Sequence, residues 1–104
     1  MSVLVEFAMF PTDKGESVSP YVARVLTKID TSGIVYQLTP MGTIFETQTM
    51  EEAVRLIQDC YKTLEPDCNR VYATVKFDIR KGSTGRIKSK VESLKEKANK
   101  QFTT

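Results

Sequence analysis

The side chains best suited to holding a small molecule lie close together in residues 36–47. Two runs rich in β-branched and aromatic residues flank Pro40, Met41 and Gly42, which favour a tight turn, so this segment is predicted to form a β-hairpin. Glu46 stands among apolar neighbours in the second arm of the hairpin. An unpaired carboxylate in such surroundings costs free energy that a bound partner relieves. Glu46 is therefore the first candidate for a ligand contact.

Other polar and aromatic groups complete the candidate site. They are Tyr36, Thr39, Thr43 and Phe45 in the hairpin, Ser19 at a predicted helix start, and Lys76, Asp78 and Arg80 on the last predicted strand. Tyr36 or Phe45 is suited to stacking on a ligand ring, where a cation near the aromatic face is stabilised by about 0.5–2 kcal/mol. Two alternatives stay open, because Glu46 is also suited to a salt bridge between subunits and Ser19 to capping its helix.

The composition excludes several kinds of site. The chain has no histidine, which removes histidine triads, histidine general bases and histidine metal ligands. Cys60 and Cys68 are not spaced as a redox or zinc motif, so both are predicted to be free thiols, with Cys60 in the core. The glycine-rich phosphate loop and the aromatic signature of RNA-recognition modules are also absent. We therefore expect no metal and no cofactor, and the commonest catalytic groups are missing.

Charge and hydropathy are those of an ordinary globular protein. The balance of 15 Lys and Arg against 13 Asp and Glu, a net charge of +2, is too even to predict a nucleic-acid or membrane surface. No apolar run approaches the length of a membrane span, and the N-terminal residues lack the pattern of a signal peptide. We expect one cytoplasmic domain, residues 1–104, that is large enough to bury a core.

The elements that must position these residues follow from the spacing of apolar side chains. This spacing predicts strands over 3–10, 34–40, 43–47 and 70–80, and helices over 19–31, 50–64 and 86–101. The order is that of the ferredoxin-like α+β fold, a four-stranded antiparallel sheet with two helices on one face, here followed by an extra C-terminal helix. The other face of the sheet is expected to be uncovered.

The uncovered face is expected to mix apolar and charged side chains. Alternation places on it Leu4, Glu6, Ala8, Phe10, Tyr72, Thr74, Lys76, Asp78 and Arg80 from the first and last strands. Such a surface is too apolar for solvent and too polar for a core, which indicates an interface between subunits. We expect a homo-oligomer, with ion pairs between Glu6 and Lys76 and between Asp78 and Arg80.

Four segments together resemble a known family. They are Tyr36-x-Leu38-x-x-Met41-Gly42-Thr43-x-x-Glu46, Ser19-x-Tyr21-Val22-Ala23, Arg70-Val71-Tyr72-x-Thr74-x-Lys76-x-Asp78-x-Arg80 and Lys90-Val91-Glu92-Ser93. Over nearly the whole chain the sequence is similar to the thiamine-binding-protein-like family. The resemblance implies a ferredoxin-like fold, dimers that pair into tetramers through their sheets, and binding of thiamine or its hydroxymethylpyrimidine part. The matching hairpin positions, Thr43 and Glu46, are the ligand contacts that it implies.

The leading hypothesis is a cytoplasmic, homo-oligomeric, non-enzymatic protein that binds thiamine or hydroxymethylpyrimidine in thiamine salvage or transport, without nucleic-acid or membrane partners. The alternative is a regulatory or scaffolding module that assembles through its sheet and holds another metabolite or ion. A third hypothesis is an enzyme that uses Glu46 or Asp78 as acid or base, although no tuned partner group is evident. A pocket walled by both Thr43 and Glu46 favours the first hypothesis, and a hairpin buried in a subunit contact favours the second.

Overall fold

The computed structural model describes residues 1–104. Its elements are β1 (Ser2–Pro11), α1 (Ser19–Thr31), β2 (Val35–Thr39), β3 (Gly42–Thr47), α2 (Met50–Leu64), β4 (Val71–Arg80) and α3 (Arg86–Ala98). The strands form one antiparallel sheet in the order β2-β3-β1-β4. The predicted ferredoxin-like α+β fold with an extra C-terminal helix is confirmed. None of the helices combines the length and the apolar character needed to cross a membrane.

The core lies between one face of the sheet and helices α1 and α2. Every second residue of β1 from Val3 to Met9 is buried, and Phe45 of β3 joins them. The rings of Phe7 and Phe45 meet edge to face with centroids 6.1 Å apart. The helices contribute Val25, Ile29, Ala53, Leu56, Cys60 and Leu64. Burial raises the pKa of Cys60 to about 12, so this thiol is a packing residue, as predicted, and a poor nucleophile.

The starts of the first two helices differ in how they are capped. At the start of α2, Thr49 Oγ1 accepts a hydrogen bond from the backbone N–H of Glu52 at 3.1 Å, which caps the helix. The alternative that Ser19 caps α1 was wrong, because Val18 holds the capping position and no side chain caps this helix. Ser19 is the first residue of the helix, so its side chain is not at the capping position. Pro20 follows in the first turn, where the fixed φ of proline suits a helix.

The β2–β3 hairpin turns through Pro40 and Met41, between the paired residues Thr39 and Gly42. Thr39 Oγ1 donates to the carbonyl of Gly42 at 2.8 Å and accepts from the N–H of Met41 at 3.3 Å, which closes the turn. Gly42 approaches β1 so closely that a Cβ there would lie 2.9 Å from the carbonyl oxygen of Phe7. Glycine fits at this position because the neighbouring atom is backbone and cannot rotate away.

Replacing Gly42 by alanine is expected to lower the free energy of unfolding by about 1–3 kcal/mol, because the added methyl group pushes β3 away from β1. Gly15→Ala is the matched comparison, since φ of Gly15 is +81° but its added Cβ would meet nothing within 4 Å. That variant should lose only the cost of a left-handed alanine, about 1 kcal/mol. Urea denaturation measures both, and a smaller loss in Gly42→Ala than in Gly15→Ala would contradict the steric argument.

The face of the sheet away from α1 and α2 is only partly open. Helix α3 packs across one end of this face, against β1 and β3, so the prediction of a wholly uncovered face was wrong. Gly85, with a φ of 63°, turns the chain back over the sheet immediately before Arg86. The helix ends at Ala98, before the predicted residue 101, because Asn99 adopts a left-handed φ of 51°.

One of the two predicted ion pairs on the open face is present. Lys76 Nζ lies 3.5 Å from Glu6 Oε1 within the same chain, with both side chains exposed. The expected pair between Asp78 and Arg80 does not form within the chain, where Asp78 Oδ2 pairs with Arg86 at 2.9 Å. The docking of α3 places the guanidinium of Arg86 against the Asp78 carboxylate, whereas Arg80, two residues along β4, forms no salt bridge with it.

Candidate ligand-binding cleft

A cleft of about 850 Å³ lies between α3 and the β2–β3 side of the sheet. Its volume falls in the range of pockets that hold small molecules and cofactors. Val35 of β2 faces Ile87 and Val91 of α3 across it, and these apolar side chains are suited to contact with an organic ring. The charged residues that line the cleft are Glu46, Glu52, Lys88, Glu92 and Lys95. This lining suits an organic ligand that carries a positive charge or amino groups.

Glu46 is held between three elements at the edge of the cleft. It lies on β3 opposite Leu4 of β1 and is half-buried. Its Oε2 accepts hydrogen bonds from the hydroxyl of Ser2 at 2.5 Å and from the backbone N–H of Arg86 at 3.2 Å. These two bonds meet the same oxygen, and a carboxylate has about four acceptor sites, so Glu46 retains capacity to accept from a ligand.

Glu46 also supplies a negative charge at the N-terminus of α3. The capping position of this helix is Gly85, which has no side chain to accept the first N–H groups. Partial burial is the strongest influence on the pKa of Glu46 and raises it. Hydrogen bonds from Ser2, Arg86 and Ile87, with the charge of Arg86, together outweigh burial and lower the pKa below its ordinary value of 4.5. Glu46 is therefore ionised at neutral pH.

Arg86 anchors α3 to the sheet. Its side chain is 4% exposed, and Nε donates to Ser2 Oγ at 2.9 Å while a terminal nitrogen donates to the Ser2 carbonyl at 3.1 Å. The guanidinium also pairs with Asp78 Oδ2 at 2.9 Å and donates to the Asp78 carbonyl oxygen. Lys90 reaches the same carboxylate at 2.6 Å. The planar guanidinium thus joins β1, β4 and α3 at one point.

Two of the predicted ligand-binding residues line the cleft, namely Glu46 and Tyr36. Tyr36 lies opposite Phe45 on the neighbouring strand, so its side chain points to the face of α1 and α2, away from Glu46. The hydroxyl of Tyr36 donates to Asp30 Oδ1 at 2.6 Å, and this hydrogen bond raises the pKa of Tyr36. Thr39 and Thr43 line a different, smaller pocket at the tip of the hairpin. The structure therefore does not bring all the predicted hairpin contacts to one site.

Strand geometry explains this separation. Residues three apart on a strand point to opposite faces, so Thr43 faces the helix layer of α1 and α2 and Glu46 faces the side on which α3 packs. Phe45 shares the face of Thr43 and is fully buried against Phe7, which leaves neither side of its ring free for a ligand. Ser19 lines neither cavity. Thr43 and Glu46 therefore belong to separate cavities, the smaller pocket and the cleft.

Sequence reasoning missed Ser2 and Arg86. The apolar stripe of α3 indicates that the helix has a buried side, but it does not indicate which surface the helix meets. One signal for Arg86 was present, because it is the only arginine in a helix whose other cations are lysines. Arginine suits buried, multiply hydrogen-bonded positions better than lysine does.

Acidification is expected to weaken the docking of α3. Hydrogen bonds from Lys90 and Arg86 hold the pKa of Asp78 below its ordinary value, and the pKa of Glu46 is lowered as described above. A carboxyl whose pKa is lower in the folded protein stabilises it at pH values above the unfolded pKa, and this contribution is lost as the pH falls through the folded pKa. The urea midpoint should therefore fall between about pH 5 and about pH 3.

A double variant, Glu46→Gln with Asp78→Asn, isolates the contribution of α3 to this acid sensitivity. Asp67 remains in both proteins and adds an effect of the same sign, because its hydrogen bond from Arg24 lowers the pKa of Asp67 to about 2. We expect acidification to lower the urea midpoint less in the double variant than in the wild type. An equal decrease in the two proteins would show that these carboxylates do not support α3.

The fold and the cleft define a small ferredoxin-like α+β domain with an open site of ligand size. The chain belongs to the thiamine-binding protein family, whose model matches residues 5–95. A UPF0045 protein of Methanothermobacter thermautotrophicus is 32% identical over 82 residues, which cover 78% of this chain and 83% of the relative. UPF0045 protein MT1949 of Mycobacterium tuberculosis is 32% identical over 94 residues, covering 90% of this chain and 92% of the relative.

Solved structures share this architecture. Hypothetical protein MJ1052 from Methanocaldococcus jannaschii superposes with a TM-score of 0.81 at 27% identity, covering 91% of this chain and 97% of that protein. A Thermotoga maritima protein, proposed to act in thiamine biosynthesis or salvage, has a TM-score of 0.78 at 22% identity, covering 90% of this chain and 99% of that protein. At that identity the likeness extends to the fold alone.

Proposed function

We propose that this protein binds thiamine or its hydroxymethylpyrimidine part in the cleft between α3 and the sheet, in thiamine salvage or transport and without catalysing a reaction. The observation that carries the proposal is the half-buried carboxylate of Glu46 at the edge of a cleft of about 850 Å³, in a chain of the thiamine-binding protein family. The lowered pKa of Glu46 keeps it charged, and its carboxylate has capacity to accept a further hydrogen bond.

The chemistry of thiamine matches the lining of the cleft. Its thiazolium ring is a cation and its pyrimidine ring carries an amino group, both of which suit a carboxylate acceptor. Glu52 and Glu92 line the same cleft as Glu46, so three carboxylate side chains outnumber the ammonium groups of the two lysines there. Ile87 and Val91 supply apolar surface for the rings. We therefore expect unphosphorylated thiamine to bind more tightly than thiamine phosphate, whose negative charge these carboxylates repel.

The proposal includes a homo-oligomer that forms through the part of the sheet that α3 leaves open, with a tetramer as the expected form. Phe10 and Tyr72 pack together on this face, with ring centroids 5.8 Å apart, and Tyr72 is 52% exposed. A surface with exposed aromatic groups is typical of an interface. A cytoplasmic location is also proposed, because Cys60 and Cys68 are both free.

A thermal-shift titration with thiamine, hydroxymethylpyrimidine and thiamine phosphate tests the proposed ligand. A ligand at about a hundred times its dissociation constant adds roughly 2.7 kcal/mol of stability, which raises the melting temperature of a domain of this size by several degrees. We expect such a rise with thiamine or hydroxymethylpyrimidine. If millimolar concentrations of all three ligands leave the melting temperature unchanged, the proposal fails.

A scaffolding or regulatory role is the second candidate, and exposed apolar residues on the edge strand favour it. Phe77 and Ile79 of β4 are 41% and 48% exposed, although they lie on the face of the sheet that the core occupies elsewhere. Such side chains at an edge strand are suited to contact with another chain. Sedimentation equilibrium without ligand tests assembly, and a monomer at micromolar concentration would exclude this role.

A further inference from the structure

A second cavity, here called the hairpin pocket, lies between α1 and the tip of the β2–β3 hairpin. It has a volume of about 210 Å³, and its walls include Val25 and Leu26 of α1 with Leu38 and Met41 of the hairpin. No charged side chain lines it. Leu38 and Met41 are 58% and 90% exposed, so the pocket has an apolar rim that an occupant would cover. The pocket is thus suited to an uncharged molecule, because a charge placed there would lose its hydration without gaining a partner.

Thr43 supplies the hairpin pocket with one free hydroxyl group. This residue is only 4% exposed, yet its Oγ1 has no hydrogen-bond partner within the protein. All completely buried side-chain polar atoms have a hydrogen-bond partner, so Oγ1 of Thr43 keeps some exposure, and the hairpin pocket is the cavity that Thr43 lines. Thr47, equally buried on the same face of the same strand, instead donates to the Thr49 carbonyl at 2.8 Å. The hydroxyl of Thr39 is occupied within the turn.

From these observations we infer that the hairpin pocket is a second small-molecule site, which takes a neutral ring carrying one hydrogen-bond acceptor that the hydroxyl of Thr43 meets. A single ring fits the volume, which is below the range of pockets for drug-sized ligands. The site is separate from the cleft at Glu46, because Thr43 and Glu46 lie on opposite faces of β3. One ligand cannot fill both cavities, and the inference does not depend on the proposed function.

Pyridine and benzene form the matched pair of probes, because they have the same ring size and differ in one acceptor nitrogen. Methyl NMR spectra of the whole protein at neutral pH, where pyridine is uncharged, report on each site separately. Methyl groups of Val25, Leu26 and Met41 report on the hairpin pocket, and those of Ile87 and Val91 report on the cleft. We expect pyridine to shift the hairpin-pocket signals with a dissociation constant in the millimolar range, as befits a ligand of so few atoms.

Thr43→Val tests the role of the hydroxyl while keeping the shape of the side chain. Pyridine should bind this variant about 5- to 10-fold more weakly than the wild type, the effect of one lost hydrogen bond, while benzene binds both equally. Thr74→Val, which removes an exposed hydroxyl from β4, is the control and should leave both affinities unchanged.

Three outcomes would overturn the inference. One is the absence of any pyridine-dependent shift in the hairpin-pocket methyl groups, or shifts confined to Ile87 and Val91. Another is a loss of benzene affinity in Thr43→Val as large as the loss of pyridine affinity, which would show an effect of pocket shape and not of the hydroxyl. The third is an unchanged pyridine affinity in a folded Thr43→Val protein. Thiamine titrated into the same sample shifts the cleft signals if the proposed function holds, so failures of the two proposals are distinguishable.

Discussion

Replacing Arg86 by methionine is expected to release α3 from the sheet and to lower the free energy of unfolding by about 2–4 kcal/mol. Methionine keeps much of the aliphatic volume but removes the guanidinium that donates to Ser2 and pairs with Asp78. Ser2 is 1% exposed and would lose these bonds in a position that water reaches poorly. At roughly 4 °C per kcal/mol for a domain of about this length, the melting temperature should fall by about 10 °C.

Two measurements distinguish release of α3 from general destabilisation. Thermal unfolding reports the stability of the whole protein, and amide hydrogen exchange within α3 reports its docking. Lys97→Met, at an exposed position of the same helix, is the control and should change neither quantity. Arg86→Lys should restore little, because an ammonium group lacks the planar fork that joins Ser2 to Asp78. Undiminished protection of α3 amides in Arg86→Met would refute the role of Arg86 as an anchor.

The variant Glu46→Gln is expected to bind thiamine about 10- to 100-fold more weakly, because a hydrogen bond to a charged group contributes about 1.5–3 kcal/mol. The amide oxygen of glutamine still accepts hydrogen bonds from Ser2 and from the N–H of Arg86, so the start of α3 keeps its cap. The variant thus removes the charge at the cleft while retaining the local structure. Isothermal titration calorimetry at neutral pH measures the change in affinity.

Glu6→Gln is the matched control for this experiment. Glu6 lies on the same face of the sheet as Glu46 and pairs with Lys76 outside the cleft. Its replacement should leave thiamine affinity unchanged, because it alters the net charge by the same amount without altering the cleft. Equal losses in the two variants would indicate a general electrostatic effect, and wild-type affinity in Glu46→Gln would place the ligand elsewhere.

Much of the fold could be predicted because its signals are local. The alternation of β1, the capping pair Thr49 and Glu52, and the turn at Pro40 and Met41 each depend on residues close in sequence. The prediction for Ser19 failed at the level of a single residue, where one position decides whether a side chain caps a helix or belongs to it.

The candidate site was harder to predict, because it depends on which faces meet. Alternation alone was enough to place Thr43 and Glu46 on opposite faces of β3, and grouping them in one pocket overlooked this parity. The position of α3 had no comparable signal. A stripe of apolar residues predicts that a helix has a buried side, but not which surface covers it.

The sequence by itself determined the order of the elements, the core face of the sheet and the presence of a half-buried carboxylate at Glu46, since periodicity and composition carry that information. Only the tertiary structure decided that Glu46 caps α3 from a distant strand, that Arg86 is buried against Ser2 and Asp78, and that two separate cavities result. The contacts of Arg86 with Glu46 and with Ser2 join residues 40 and 84 positions apart, and their geometry exists only once the helix has docked on the sheet.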